Sequence, residues 1–348
     1  MSRRGWMLFT AMSVIWGVPY LLIKVADGGV SVPVLVLARV AGGAVILLPI
    51  ALRRGELGLL RPHWRWLAIF ACVEIILPWL FLSQAERRLS SSMSGLLIAA
   101  VPIIGVVLAR LTGGPERLTP LRWAGLLGGL AGVALLAGPR ALGGDLGSVV
   151  LVLLTALGYA TGPLIASRKL GGLPGLGMTA ACLGFAAVVY APAAALTWPQ
   201  TVPPAKVLAS LAGLAVICTA LAFVLFFQLI AEVGPARATV ITYVNPAVAV
   251  ALGVGVLGEP LTPEIIAAFG LILAGSVLAT QSGRPVVPQP AGPGPAGPVG
   301  SGAADEPGTS APAGRGVADE PGTSAPVGRG AADEPGEPGT SDPLASRS

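Results

Sequence analysis

Two ionisable side chains stand in apolar surroundings that have no ordinary use for a charge. Glu74 is the one charged residue in the run Ile69-Phe-Ala-Cys-Val-Glu-Ile-Ile-Leu-Pro-Trp79. If this run crosses a membrane, an ionised carboxylate near its middle costs about 2.5–3.5 kcal/mol on insertion scales and more on others. The acid must then be neutral, paired, or turned toward a wet cavity. Its chemical uses there are proton coupling or capture of a substrate amine. The plainer alternative is a protonated, hydrogen-bonded packing residue. Arg39, in Ala38-Arg39, is the natural counterpart. At 1.5 Å per helical residue the two sit about 8 Å apart along the bundle axis, a gap that a long Arg side chain partly closes. Three uses of Arg39 stay open: a pair with Glu74, a bidentate grip on a substrate carboxylate, or a structural role on backbone carbonyls.

Aromatic and amide groups complete the candidate set. Trp16, Tyr20, Trp79, Tyr159 and Tyr243 are candidates to line a cavity, although Trp and Tyr also collect at membrane interfaces as anchors. Trp16 is close to mid-span, where anchoring explains it poorly. Trp6, Trp64, Trp66, Trp123 and Trp198 lie near span ends and read as belt residues. Asn245-Pro246 adds an amide beside a proline that frees an upstream carbonyl, which membrane proteins tolerate where it lines a cavity or is covered by protein. Pro102 and Pro246 are hinge candidates, or symmetric kinks without motion.

Other chemistries find no residues. Cys72, Cys182 and Cys218 all fall in apolar runs without metal-ligand spacing, and His63, the single histidine, lies in a basic loop. No Gly-rich loop ends in Gly-Lys-Ser/Thr, so any transport is expected to be secondary and not ATP-driven. Neither a cofactor nor an enzyme activity is expected.

The elements that must position these groups follow from composition. Of the 348 residues 54% are hydrophobic and 11% charged, with a mean hydropathy of +0.79. Soluble domains carry about 25% charged residues, so this chain lacks the means to cover a water-facing surface. The net charge of +5 is therefore read through the positive-inside rule and not as a nucleic-acid footprint. Ten apolar spans are expected, near 5–25, 32–52, 66–85, 91–111, 121–139, 146–167, 175–196, 207–230, 237–257 and 263–281. The first is expected to be a retained helix and not a signal peptide. With the N-terminus inside, thirteen basic residues fall on the inner side and five (Lys24, Arg87, Arg88, Arg140, Lys206) on the outer, so both termini are expected in the cytoplasm. Arg87-Arg88 runs against this bias.

The spans form two copies of one pattern. Gln84, Pro102, Glu116, Thr119, Pro120 and Gly132 recur as Gln228, Pro246, Glu259, Thr262, Pro263 and Gly275, at offsets of 144 and then 143 residues. Five spans per copy is an odd number, so the second copy enters the membrane inverted, an arrangement that places a substrate site near the midplane between halves. Glu116 and Glu259 precede Leu-Thr-Pro helix starts and read as structural, while Gln84 and Gln228 suggest a shared hydrogen bond. The small residues of span 5, Gly125 to Gly132, allow close helix packing, within the chain more often than between chains, and permit a homodimer without demanding one. From about Gly283 the chain turns Pro-, Gly- and Ala-rich, with Ala-Asp-Glu-Pro-Gly repeating every 14 residues, and 283–348 is expected to be a disordered tail.

Trp16-Gly17 with Lys24, Ala38-Arg39, Val244-Asn245-Pro246, Leu257-Gly258-Glu259-Pro260-Leu261-Thr262 and Gly270…Ala274-Gly275 stand in an order that resembles the EamA-type transporters of the drug/metabolite transporter superfamily. The resemblance covers residues 5–281. It implies two inverted bundles around a central cavity that moves small metabolites, often amino acids or other polar compounds, outward across the bacterial inner membrane. The expectation is thus an all-α integral membrane protein. Residues 1–141 and 142–282 form its two five-helix repeats, and its partners are a small solute and the bilayer. An importer on the same fold, or a non-transporting scaffold or sensor acting through the tail, are the rival expectations.

Overall fold

In a computed structural model, the chain is described for residues 2–112, 119–234, 238 and 240–280. Glu116, Arg117, Arg237 and the 283–348 tail, with the expectations placed on them, lie outside the described residues. Among the described residues the chain is helical and contains no strand. Nine helices among these residues are long and apolar enough to cross a membrane: α1 (Arg3–Asp27), α2 (Val32–Arg53), α3 (Glu56–Glu86), α4 (Ser91–Leu111), α5 (Pro120–Gly138), α6 (Gly143–Lys169), α7 (Gly175–Leu196), α8 (Ala205–Val233) and, after a shorter apolar helix, α10 (Pro263–Thr280). The shorter one is α9 (Ile241–Leu257), 17 residues, or roughly 26 Å at the helical rise.

Successive helices alternate in direction. The end of α1 meets the end of α3 through Lys24, and the start of α1 meets the end of α8 through Arg4 and Gln228. Gln228 thus bonds to α1 and not to its counterpart Gln84. The α3 helix starts ten residues before the expected span, because Arg61–His63 forms a 3-10 turn that carries the chain past Pro62 without ending the helix. Trp64 on this extension and Trp66 just after it are exposed. Arg87, which offends the charge rule, is neutralised locally: its Nε is 2.7 Å from Asp27 Oδ1.

Equivalent helices of the two repeats pack on each other. The α5–α10 contact depends on missing side chains, since a Cβ at Gly275 would lie 2.4 Å from Gly129 N and one at Gly125 would lie 2.6 Å from Ala279 N. Backbones approach this closely only over small residues, and the span 5 glycines serve packing within the chain. The pair is tied further by Arg122 Nε donating to Ala279 O at 3.1 Å. The α2–α7 contact is the counterpart in the other layer, with Gly43 receiving Leu183 of α7 and Thr219 of α8.

Four helices around the centre are irregular. In α1 the helix stops at Ile15 and restarts at Pro19, because Pro19 cannot donate back to Ile15. Gly17 in the gap lets Val248 of α9 approach to where a Cβ would be, 2.5 Å away. In α3 the turn widens to a π-helix over Cys72–Ile76, just before Pro78, and the Tyr190 hydroxyl of α7 donates to the loosened Ile76 carbonyl. In α8 a π-helix runs over Gly213–Leu221. In α4 the helix breaks at Ala99-Ala100 before Pro102, and Ser276 of α10 covers the Ala99 carbonyl at 2.9 Å. Pro246 instead sits inside the first turns of α9 without a break, so the two duplicated prolines occupy different local structures.

Candidate functional site

The irregular helices surround a cavity of about 360 Å³. Irregular backbone at membrane depth is expected where it lines a cavity, and the π-helices of α3 and α8 both border it. Glu74 sits in the first and Cys218 in the second, beside Thr219, which reaches the cavity only through Arg39.

Glu74 reaches the cavity by lying against Gly162 of α6. A Cβ on Gly162 would stand 1.8 Å from Glu74 Oε2, so the absent side chain is the space the carboxylate occupies. That oxygen is buried and has no hydrogen-bond partner among the described residues. Arg39 is not its partner. The Arg39 Nε donates to Thr219 Oγ1 at 3.1 Å, and its guanidinium carbon lies 3.6 Å from the centre of the Trp79 ring. The guanidinium is thereby held flat by a cation–π contact, with one edge fixed and its Nη groups free of further hydrogen bonds among the described residues. Arg39 and Glu74 both line the cavity, each with unused hydrogen-bonding capacity.

The remaining candidates divide. Trp16, Tyr20, Trp79, Tyr159 and Asn245 line the cavity. Asn245 is fixed across two helices, its amide donating to Ser13 O at 3.1 Å and Ile241 O at 2.9 Å. Tyr243 does not line it: its hydroxyl is bonded to Thr280 Oγ1 of α10, where it ties α9 to the neighbouring helix. Pro102 and Pro246 shape helices around the cavity without lining it.

One wall is absent from the sequence expectations. Phe223, Phe226 and Phe227 of α8 form an aromatic side to the cavity, with Trp16 4.7 Å from the Phe226 ring and 5.9 Å from Phe223. The duplication carries the signal. Trp79 and Phe223 are 144 residues apart, as are Glu74 and Cys218, while Trp16 and Tyr159 are 143 apart. All six line the cavity.

Outside the cavity, at the end of the bundle where α1, α3 and α9 finish, Glu259 caps α4. Its carboxylate accepts from Ser91 N at 2.6 Å and from Ser92 N at 2.9 Å, a favourable place for an anion at a helix start. Partial burial pushes the acid up, but the hydrogen bonds from Ser92 and Ser91 outweigh it and hold the carboxyl below its usual range. The capped helix belongs to the first repeat and the cap to the second.

Comparison with known proteins agrees with this architecture. The EamA-like transporter family matches twice, over residues 3–138 and 146–281. The uncharacterized inner membrane transporter YedA of Escherichia coli (strain K12) is 31% identical over 277 residues, covering 78% of this chain and 88% of the relative. A probable terminal-alkyne amino-acid exporter of Streptantibioticus cattleyicolor is 28% identical over 294 residues, covering 80% and 93%. A protein of known crystal structure shares the fold with a TM-score of 0.58 at 24% identity, covering 80% of this chain and 98% of that one.

Proposed function

From the premise that this chain belongs to the EamA-like transporter family, we propose that it exports a small amino-acid-like solute across the bacterial inner membrane, with both termini cytoplasmic. Transport is secondary, by alternating access between the two inverted repeats. The observation that carries the reading is one cavity holding a guanidinium and a carboxyl group, each with spare hydrogen-bonding capacity among the described residues, between aromatic walls. Arg39, pinned by Thr219 and Trp79, offers its Nη groups to a carboxylate. Glu74, with Oε2 unpartnered, accepts from an ammonium. Phe223, Phe226 and Trp16 receive an apolar side chain. A zwitterion gives the guanidinium its anion and the Glu74 carboxylate its cation at once, whereas a simple cation would leave Arg39 buried and unmatched, which is costly. The likeness to a terminal-alkyne amino-acid exporter points to the same class.

Binding a zwitterion also explains how a solute would shift the conformational balance. Its two charged ends touch α2 and α3 of the first repeat, while its apolar side chain rests on Phe223 and Phe226 of the second, so occupancy draws the repeats together across the cavity. A ligand shifts such a balance only by its differential affinity for the two states.

The test is extracellular metabolite profiling of cells expressing the chain beside cells expressing Glu74→Gln and Arg39→Gln at matched membrane levels. A compound with amino and carboxyl groups, enriched outside only with the intact chain, is the expected result. Enrichment of a compound lacking one of these groups would overturn the zwitterion assignment, and depletion from the medium would overturn export.

A further inference from the structure

One buried acid lies beyond the cavity. Glu86, the last residue of α3, is 0% exposed, and neither carboxylate oxygen has a hydrogen-bond partner among the described residues. Its neighbours are otherwise engaged. Lys24 of α1 spends its ammonium on the Glu86 and Leu89 main-chain carbonyls, at 2.9 Å for the latter. Asp27 of α1 is held by Arg87, and Glu259 of the α9–α10 connection is held by Ser91 and Ser92. Arg39 of α2 is bonded to Thr219. Tyr20 of α1 and Tyr159 of α6 complete the titratable groups that feel its charge.

This end of the bundle is shut. On α3 the cavity lining stops at Leu82, one turn short of Glu86, and beyond it Leu89, Ser91, Ser92 and Ser94 are buried. Toward the opposite end the lining continues to Ala166, Met178 and Phe227. A carboxylate sealed away from water with no donor is far more costly than a neutral carboxylic acid in the same place.

We propose that Glu86 is a proton-binding site that exists only while its end of the bundle is shut. The inference rests on the alternating-access reading above. When this end opens and water enters, the O–H bond of the acid breaks, the proton passes to water, and the electron pair stays on the carboxylate. Lys24, released from the carbonyls, becomes its counter-ion. Closing reverses each step. Protons on that side are thus a ligand of the shut form, and opening releases one proton. Between the ionisation ranges of the two forms, each pH unit changes the open-to-shut ratio about tenfold.

The experiment needs no solute. The full chain, with Cys72, Cys182 and Cys218 replaced by Ala, carries spin labels at Arg88→Cys and Lys206→Cys, two exposed positions at this end. In liposomes of bacterial lipid, electron–electron distances are measured from pH 5 to 8. The long-distance population is expected to rise with pH by up to about tenfold per unit. Glu86→Gln, which keeps the shape of the neutral acid, should stay at the short distance throughout, and Glu86→Asp should retain a response. An unchanged pH response in Glu86→Gln would overturn the proposal, as would no response in the parent. Loss of the response in Glu74→Gln alone would assign the proton to the cavity and overturn it equally. The efflux assay reports separately on whether the chain transports, so failure of that reading is distinguishable from failure of this one.

Discussion

Gly162→Ala should damage solute recognition without unfolding the protein. The added Cβ would stand 1.8 Å from Glu74 Oε2, 2.8 Å from its Cδ and 3.2 Å from its Cβ, while ordinary contact begins near 3.4 Å. The carboxylate must therefore withdraw by about 1.6 Å, the difference between the first and last of those distances. The atoms in the way are the flexible end of a side chain and not backbone, so the helices can stay where they are. A charge-assisted hydrogen bond contributes about 1.5–3 kcal/mol, and losing one to a displacement of this size should raise KM about ten- to hundredfold. Glu74→Asp alone retracts the carboxylate by about one carbon–carbon bond, roughly 1.5 Å, and should weaken binding on its own. Combined with Gly162→Ala the shorter acid fits the reduced space, so the double variant should transport better than Gly162→Ala alone. The assay is uptake of the identified solute into inverted vesicles, with KM and kcat resolved and expression matched. Wild-type kinetics in Gly162→Ala, or a double variant impaired by the sum of the singles, would refute the placement of Glu74.

Three further outcomes follow from the same contacts. Arg39→Lys loses both the Thr219 bond and the flat stacking on Trp79, and should raise KM at least about tenfold while thermal stability in detergent changes little. Gly275→Val drives a branched side chain into the Gly129 backbone and should cost about 1–3 kcal/mol or more, read as a lowered unfolding temperature with transport per folded molecule unchanged. Glu259→Gln removes the charged cap of α4 and should cost about 1 kcal/mol near neutral pH. Because the folded-state carboxyl lies below its unfolded value, that stabilisation is complete above the unfolded pKa of about 4.3 and is lost as pH falls through the folded pKa. The difference between wild type and Glu259→Gln should therefore shrink in acid, measured by unfolding temperature against pH.

Much of this design is legible without coordinates. The apolar runs and the duplication identify the helices, and the intramembrane positions of Glu74 and Arg39 mark a cavity, because charge in such runs has few other uses. Their relationship is not legible. Axial spacing along two helices permits an ion pair, but a π-turn at Cys72–Ile76 and the vacancy at Gly162 turn Glu74 toward α6. Helical registers are not visible in a residue count when a turn is widened. Tyr243 shows the same limit from the other side, since an aromatic near Asn245 can face the cavity or the next helix. The hydroxyl of Thr280, 37 residues away, decides it. Glu86 gives no signal in the sequence because it sits where a span ends, and only burial separates it from an exposed loop acid.

The two copies of the fold differ where it matters most for a solute. Glu74 has Cys218 as its counterpart, and no basic residue stands at 182 or 183, the positions matching Arg39. Two identical halves would present every charge twice, and a molecule between them could lie either way round with equal ease. Divergence at these positions gives the chamber a head and a foot. If the proposed zwitterion is the solute, it is held in a single orientation, and its mirror image gives up either a charged contact or the aromatic wall. On the proposed reading, the handedness of the solute thus becomes something the cavity can sense, through three unlike contacts at Arg39, Glu74 and the Phe223–Phe226 wall.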